Sequence, residues 1–315
     1  MCADHRERST PATKRPYTTG HFELMIDGHV STAYLKSVDG GHIKGMPVEE
    51  SIGGTNAKLK HLSTFEIEPM TIDFGISGAS DVFKWIQSSW DKKWGRRSGQ
   101  ITHGNFEFAS TMEHEFRDAL ILETKFPELN GASKEASYLQ IKIQPEVVML
   151  RKGTGRALKA TLGSKQKMWT PSAFRLYLDG LDELQYTNKI EAFSIKQGVK
   201  KLMTGEERFP EIEPTKIEYP NLVGTIALEY ADKLIEWHEK VLKNGWQDNA
   251  AQKTGRLEFL DPTRAKTLFQ INLFEVGLTS LQIVQSTANA DQIKRCKFEL
   301  HIGQMSLDGP GVGLE

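Results

Sequence analysis

Two segments that begin 152 residues apart share one alternation of apolar and polar residues. FELMIDG begins at residue 22 and FRLYLDG at residue 174, and each ends in an Asp-Gly pair. Alternation with period two predicts a half-buried strand, and Asp-Gly is a strong hairpin-turn signal. A chain of 315 residues has room for one large domain or for two of about 150 residues. The repeat therefore favours two copies of one β unit.

The same spacing continues downstream of these strands. In each half an alternating run changes phase at a proline, at Pro69 in the first half and at Pro220 in the second. A slip of one residue exchanges the two faces of a strand, and proline is tolerated in a strand only at a bulge or an edge. Each half is therefore predicted to contain one long strand that bends at this proline.

A short amphipathic helix is predicted after each bent strand. The segments are ASDVFKWIQSSW at 79–90, with Ser80 or Asp81 as the cap, and YADKLIEWHEKVL at 230–242. Trp85 and Trp237 lie at equivalent positions, 152 residues apart, and are predicted to anchor the helices in the core.

Composition divides the chain at two places. Residues 1–19 have no apolar periodicity and are predicted to form a flexible N-terminal tail. Residues 151–172 carry six lysines or arginines and no acid, which is typical of a basic linker. The linker separates a first domain at 20–150 from a second at 173–307, and 308–315 form a C-terminal tail.

Charge and residue usage exclude several kinds of protein. Forty basic and 41 acidic residues give a net charge of −1, which argues against a non-specific nucleic-acid binder. Two cysteines, Cys2 and Cys296, cannot build a disulfide framework or a four-thiolate metal site. The nine histidines lack metal-binding spacing, and no nucleophile, base and orienting residue can be assembled. We predict no catalytic, cofactor or metal site, and no membrane insertion, since no apolar run reaches about 18 residues.

Four motifs of the first half, in order, resemble the tail-tube family of contractile phage tails and related bacterial injection systems. They are MTIDFGISG, DVFKWI, GQITHGNFEF and KFPELNGASKEASYLQIKIQPE. The resemblance covers about residues 17–150. The second half has FEVGLTSLQIVQSTAN where the first has FPELNGAS, so its interpretation as a second, divergent tube-like domain rests on the internal repeat. The family's conspicuous positions correspond to Phe74 and Gly75, Trp85 and Ile86, Phe126 and Pro127, and Leu129 to Ser133.

This resemblance implies a mainly β fold: two tandem tube-like domains, each a β-sandwich or half-barrel with one α-helix. It also implies a structural protein and not an enzyme. Family members assemble into stacked rings whose lumen conducts DNA or an effector, without specific binding to the DNA. The implied partners are further copies of the chain, six or three per ring, with sheath, baseplate and tail-terminator proteins. The implied location is a virion tail assembled in the host cytoplasm, or a cytoplasmic injection particle.

A polar stretch at 44–62 matches in position the arm with which family members contact the adjacent ring. Glu49, Glu50, Lys58 and Lys60 are its candidate contact residues. Residues 196–216 hold the same place in the second half and are equally charged. Both stretches are long for hairpin loops, and long loops without a core of their own often serve binding.

Three interpretations of the function remain open at this point. The first, which we favour from the motifs, is a repeating tube subunit with six chains per ring. The second is a trimeric pseudo-sixfold hub or tube initiator of the baseplate, in which three chains supply six tube-like domains. The third is a duplicated β-sandwich module that binds a ligand.

Overall fold

The computed structural model describes residues 20–52, 57–159, 169–203, 209–244, 252–284, 293–310 and 313–314. The predicted tail at 1–19 and the middle of the predicted linker lie outside these residues. The described part is mainly β, with two α-helices and two short 3-10 helices at Asp182–Tyr186 and Leu228–Tyr230. Neither α-helix is long and apolar enough to cross a membrane. The elements are β1 His21–Ile26, β2 His29–Val30, β3 Leu35–Gly40, β4 Ile43–Ile52, β5 Ala57–Ile67, β6 Met70–Phe74, α1 Ser80–Trp90, β7 Arg97–Gly104, β8 Ser110–Phe126, β9 Leu129–Asn130, β10 Leu139–Gln144, β11 Val147–Lys152, β12 Phe174–Leu178, β13 Lys189–Ile190, β14 Phe193–Leu202, β15 Glu211–Glu218, β16 Leu222–Ala227, α2 Asp232–Asn244, β17 Lys253–Leu260, β18 Thr267–Ile283, β19 Arg295–Pro310 and β20 Gly313–Leu314.

The two main sheets have the same strand order. The first contains the path β1-β7-β8-β10-β6-β3, and the second contains β12-β17-β18-β19-β16-β13. Neighbours along both paths are antiparallel, and each helix connects the equivalent pair of strands, β6 to β7 and β16 to β17. The repeat seen in the sequence therefore extends to the order in which distant strands pair.

Matching irregularities occur in β8 and β18. Asp118 and Glu275, which are 157 residues apart, both have positive φ, the left-handed conformation that occurs at some β-bulges.

 Their φ angles are 49° and 53°, and the pairing with β7 and with β17 shifts register at these two residues. A non-glycine residue in this conformation is uncommon, so its recurrence at equivalent positions supports a common origin of the two halves.

A glycine opposite each bulge has the same structural role in both sheets. A methyl group at Gly99 would clash with the carbonyl oxygen of Met25, and one at Gly255 would clash with that of Tyr177. Met25 and Tyr177 are themselves 152 residues apart on β1 and β12. Only glycine allows the neighbouring strand this close approach, so the two positions are under the same steric constraint.

The prediction of one long bent strand in each half is corrected by the structure. In the first half β5 ends at Ile67 and β6 begins at Met70, and the two strands pair with different partners. Strand β5 pairs with β4, whereas β6 pairs with β10 and β3. The proline marks the point where the chain leaves one sheet for another, because Pro69 has no N–H to continue a ladder.

Both predicted helices are present, and their tryptophans are buried. Trp85 is 1% exposed and Trp237 is 6% exposed. The Trp85 indole N–H donates a hydrogen bond to the Gly95 carbonyl at 3.0 Å, which satisfies its one polar atom. The expected cap is corrected: Ala79 precedes the first helix and makes no side-chain capping hydrogen bond.

The halves share one core. Phe126 of β8 stacks on Phe193 of β14 at a centroid distance of 4.9 Å and lies 5.7 Å from Phe259 of the second sheet. Phe83 of α1 contacts Phe269 of β18 at 5.3 Å. The apolar cluster is continuous between the halves, so the division into two domains stays a prediction based on the repeat.

The described ends of the predicted linker are packed and not flexible. Leu158 is 7% exposed, and Trp169 is 1% exposed between Phe259 and Phe269. Arg156 forms an ion pair with buried Glu23. The predicted C-terminal tail is likewise corrected, since β19 continues to Pro310. The basic composition of the linker predicted a flexible segment, because it gave no sign that Arg156, Leu158 and Trp169 pack against the sheets.

Candidate functional site: two hairpins and the sheet edges beside them

The stretch predicted as a binding arm is a β-hairpin, formed by β4 and β5, which we call the first hairpin. It forms a two-stranded sheet of its own among the described residues. The prediction of a loop is therefore corrected. Leu59 and Leu62 are 51% and 63% exposed on it. An isolated two-stranded ribbon is marginally stable in water, and exposed leucines on such a ribbon indicate a contact with a partner.

The four candidate arm residues lie together on this hairpin, where three of them pair with one another. The Glu49 carboxylate is 2.9 Å from the Lys58 ammonium and 2.7 Å from that of Lys60. Hydrogen bonds from Lys60 and Lys58 lower the pKa of Glu49. Glu50 lies 3.9 Å from His61. These charged side chains pair with one another across the two strands. The exposed leucines have no such partner within the hairpin's ion pairs, so they are the stronger candidates for a contact with another chain.

The equivalent hairpin of the second half, formed by β14 and β15, is docked and not free. We call it the second hairpin. Its first strand pairs antiparallel with β8, with Phe193 opposite Phe126 and Ile195 opposite Thr124. Phe193 and Ile195 are 6% and 3% exposed. The second half thus adds a strand to the sheet of the first half within one chain.

Polar contacts fasten the second hairpin to the first half. The Ser89 hydroxyl donates to the Gln197 side-chain oxygen at 2.8 Å in a buried position. The Ile212 N–H donates to the Glu146 carboxylate at 2.9 Å, and Arg96 donates to the Ile212 carbonyl. Sequence reasoning missed this docking, although the Phe-Ser-Ile alternation at 193–195 signals a buried strand. Residues 204–208, which include Glu206 and Glu207, lie outside the described residues.

Ionisable groups do not form a metal or catalytic site in the described part of the chain. No group of three or more His, Cys, Asp or Glu side chains there could hold a metal ion. His114 lies on β8 with its Nε2 atom 2.8 Å from the Gly41 carbonyl oxygen. Burial, together with the smaller effect of neighbouring His114, lowers the pKa of His103 to about 4.

We expect His103 to make the protein less stable in mild acid. The folded-state pKa of about 4 lies below the value near 6.5 of an unfolded chain. The unfolded state therefore takes up a proton first as the pH falls, and stability is lost between pH 6.5 and 4. Going from pH 7 to pH 5 is expected to lower the free energy of unfolding through this group by about 2 kcal/mol.

Urea unfolding of the wild type and His103→Gln at pH 7 and pH 5 measures this effect. The variant cannot gain the proton, so its loss between the two pH values is expected to be smaller by about 2 kcal/mol. An equal loss in both proteins would contradict the assignment. His29→Gln, at an exposed histidine, is the matched control and should follow the wild type.

Comparison with known proteins assigns a class to the first half. Residues 18–148 match the family model described as T4-like virus tail tube protein gp19. The resemblance drawn from the motifs is therefore confirmed for this stretch. The family consists of structural tube proteins, so the prediction of a structural protein and not an enzyme is confirmed for this stretch. None of the curated proteins matches the chain.

Several chains of solved structures are similar to part of this chain. The sheath-tube complex of the extracellular contractile injection system PVC contains a chain of 17% identity with a TM-score of 0.40, covering 44% of this chain and 94% of that one. A chain of the anti-feeding prophage tube-terminating cap has 15% identity and a TM-score of 0.40, covering 48% and 100%. Hcp1 from Flavobacterium johnsoniae has 14% identity and a TM-score of 0.27, covering 44% and 96%.

Proposed function

We propose that this chain is a structural subunit of the tube of a contractile phage tail or a related injection machine. Its rings stack, and their lumen conducts DNA or an effector. The family match at 18–148 carries this proposal, and the mainly antiparallel β architecture supports it. Sheath, baseplate and terminator proteins are the proposed partners, in a virion tail or an injection particle. The near-neutral net charge of −1 suits a conduit, because a strongly basic lumen would retain DNA.

Negative-stain electron microscopy of the purified protein tests the proposal. We expect rings with a central hole, alone or in stacks. A compact monomer that persists at high protein concentration would overturn the tube function and favour the ligand-binding module instead. Rotational averaging of the rings counts the chains.

Three chains per ring are favoured over six by one observation. The second hairpin adds a strand to the sheet of the first half within the same chain, which supports an arrangement with the two halves as neighbouring units of one ring. Six such halves then come from three chains, which is the geometry of a hub or tube initiator between a threefold and a sixfold component. This count would be contradicted if the averaged ring images show six identical units and the mass of one ring equals that of six chains.

We also propose that the outer part of the first hairpin, within residues 47–62, contacts the adjacent ring. Replacing residues 47–62 by Asn-Gly keeps a short hairpin and removes Glu49, Glu50, Lys58 and Lys60. We expect rings to persist and stacks to be lost, because the exposed side chains of Leu59 and Leu62 are removed. Sedimentation velocity measures the change, and unchanged stacking would show that the arm assignment is wrong. Glu49→Gln, which keeps the apolar contacts, is the control and should still stack.

A further inference from the structure

Among the described residues, strand β18 has an open edge where its equivalent in the first half is covered. One residue of β8, Leu122, is left out of the pairing with β10, and one residue of β18, Thr279, is left out of the pairing with β19. These two residues are 157 positions apart and are therefore equivalent. By this register Phe126 corresponds to Ile283. Phe126 is 1% exposed, because Phe193 of the second hairpin stacks on it, whereas Ile283 is 67% exposed.

The backbone at these positions differs in the same way. Residues 123–125 pair on both sides, with β10 and with β14, and Phe126 pairs with β14. Within the described part of the chain, the equivalent residues 280–283 pair on one side, with β19. Val284, which follows, is 42% exposed. An open edge with apolar side chains is a template for another strand.

The first hairpin carries the matching open edge. Lys44 lies opposite Glu66, which is four residues before the start of β6. In the same way, Lys196 lies opposite Glu218, which is four residues before the start of β16. Ile43 therefore corresponds to Ile195 of the docked second hairpin. Ile195 is 3% exposed and Ile43 is 47% exposed. The described residues of β4 pair with β5 alone, so its other edge is open.

We infer that the open edge of β18 binds the start of the first hairpin of a second copy of this chain, and that three chains close a ring through this contact. The inference rests on the proposed tube function and names the partner surface on each side. The strand pairing that joins the halves inside one chain is its template, because the two open edges are the repeat equivalents of the two edges that pair there.

The internal pairing also predicts the register of the contact. Ile195 lies opposite Thr124, and Ser194 lies opposite Lys125. Carried over by the repeat, Ile43 lies opposite Leu281 and His42 opposite Gln282 of the next chain, in antiparallel orientation. The contact covers the exposed side chains of Ile43 and Ile283. It is head-to-tail, with different surfaces on the two chains, and such an interface closes into a ring when the rotation permits.

Disulfide cross-linking between His42→Cys and Gln282→Cys tests this contact. Residues directly opposite on antiparallel strands have Cα atoms about 4.5 to 5.5 Å apart, within the range that a disulfide spans. Both side chains are exposed in the single chain, so the substitutions leave its core intact. The variants are made in full-length chain with Cys2→Ser and Cys296→Ala, which removes the native thiols.

We expect the oxidised double variant to yield a covalent trimer as its largest species on a non-reducing gel, and a reductant to return it to single chains. Each single-cysteine variant should give no trimer. Lys58→Cys with Gln282→Cys is the matched control, since Lys58 is equally accessible on the first hairpin but far from the predicted register.

Two results would overturn the inference. One is rings by electron microscopy without cross-linking above the level of the Lys58 control, and the other is a ladder that continues beyond three chains. Absence of rings in the wild-type protein is a different outcome, because it contradicts the tube function itself. Thermal unfolding of each variant verifies that the chain is folded before the gel is interpreted.

Discussion

Replacing Phe126 with alanine is expected to lower the free energy of unfolding by about 4 kcal/mol. The ring is 1% exposed at the point where three parts of the molecule meet. It stacks on Phe193 of the second hairpin, lies 5.7 Å from Phe259 of the second sheet and 6.1 Å from Trp90 of α1. Alanine leaves a cavity that rigid neighbours from separate elements cannot fill, so the loss belongs to the upper part of the usual range.

Denaturant unfolding followed by tryptophan fluorescence measures this loss. Because Phe126 joins the halves, we expect the variant to unfold in two steps where the wild type unfolds in one. Phe106→Ala removes the same ring from a site that is 67% exposed and should change stability by less than about 0.5 kcal/mol. A loss below about 1 kcal/mol for Phe126→Ala would show that the halves do not depend on a shared core.

Local periodicity was sufficient to predict the strands and helices that repeat. The alternation of β1 and β12 and the apolar faces of α1 and α2 depend on residues only a few positions apart. The resemblance of the first half to a tail-tube family was also readable, because its motifs lie in one continuous stretch that the matched family model covers. Features of this kind are encoded in neighbouring residues.

Pairing between distant segments could not be predicted in this way. The alternation around Pro69 is the same for one bent strand as for two strands in different sheets. The polar second hairpin reads as a solvated loop, yet it docks through Phe193 and Ile195 on a strand some 70 residues earlier in the chain. A hairpin that is free in one half and docked in the other has the same local pattern in both, and only the neighbouring surface decides its state.

The composition of the basic segment after β11 did not reveal that Arg156 pairs with a buried glutamate. Replacing Arg156 with alanine is expected to lower the free energy of unfolding by about 3 kcal/mol at pH 7. The Arg156 guanidinium donates to the Glu23 carboxylate at 2.6 Å, and the Lys159 N–H donates to the other carboxylate oxygen. Glu23 is 3% exposed, so the variant leaves a buried charge with one partner removed.

The dependence on pH distinguishes this mechanism from simple loss of packing. Burial raises the pKa of Glu23, but the hydrogen bonds from Arg156 and Lys159 outweigh it and the pKa is lowered overall. In the wild type this pair therefore stabilises the fold above the unfolded-state pKa near 4.5, and the contribution is lost as the pH falls below it. Without Arg156 the carboxyl can be protonated in the folded state, so the penalty of the variant should shrink in acid.

Urea unfolding at pH 7 and pH 4 of the wild type, Arg156→Ala, Glu23→Gln and the double variant measures the coupling. The double variant should be more stable than Arg156→Ala alone, because a neutral amide replaces the unpaired buried carboxylate. Arg151→Ala, which breaks an exposed pair with Glu115, is the control and should lose at most about 1 kcal/mol. If Arg156→Ala and Arg151→Ala lose the same amount, the segment from 151 to 159 is a solvated linker after all, and its contacts with β1 do not hold the first half together.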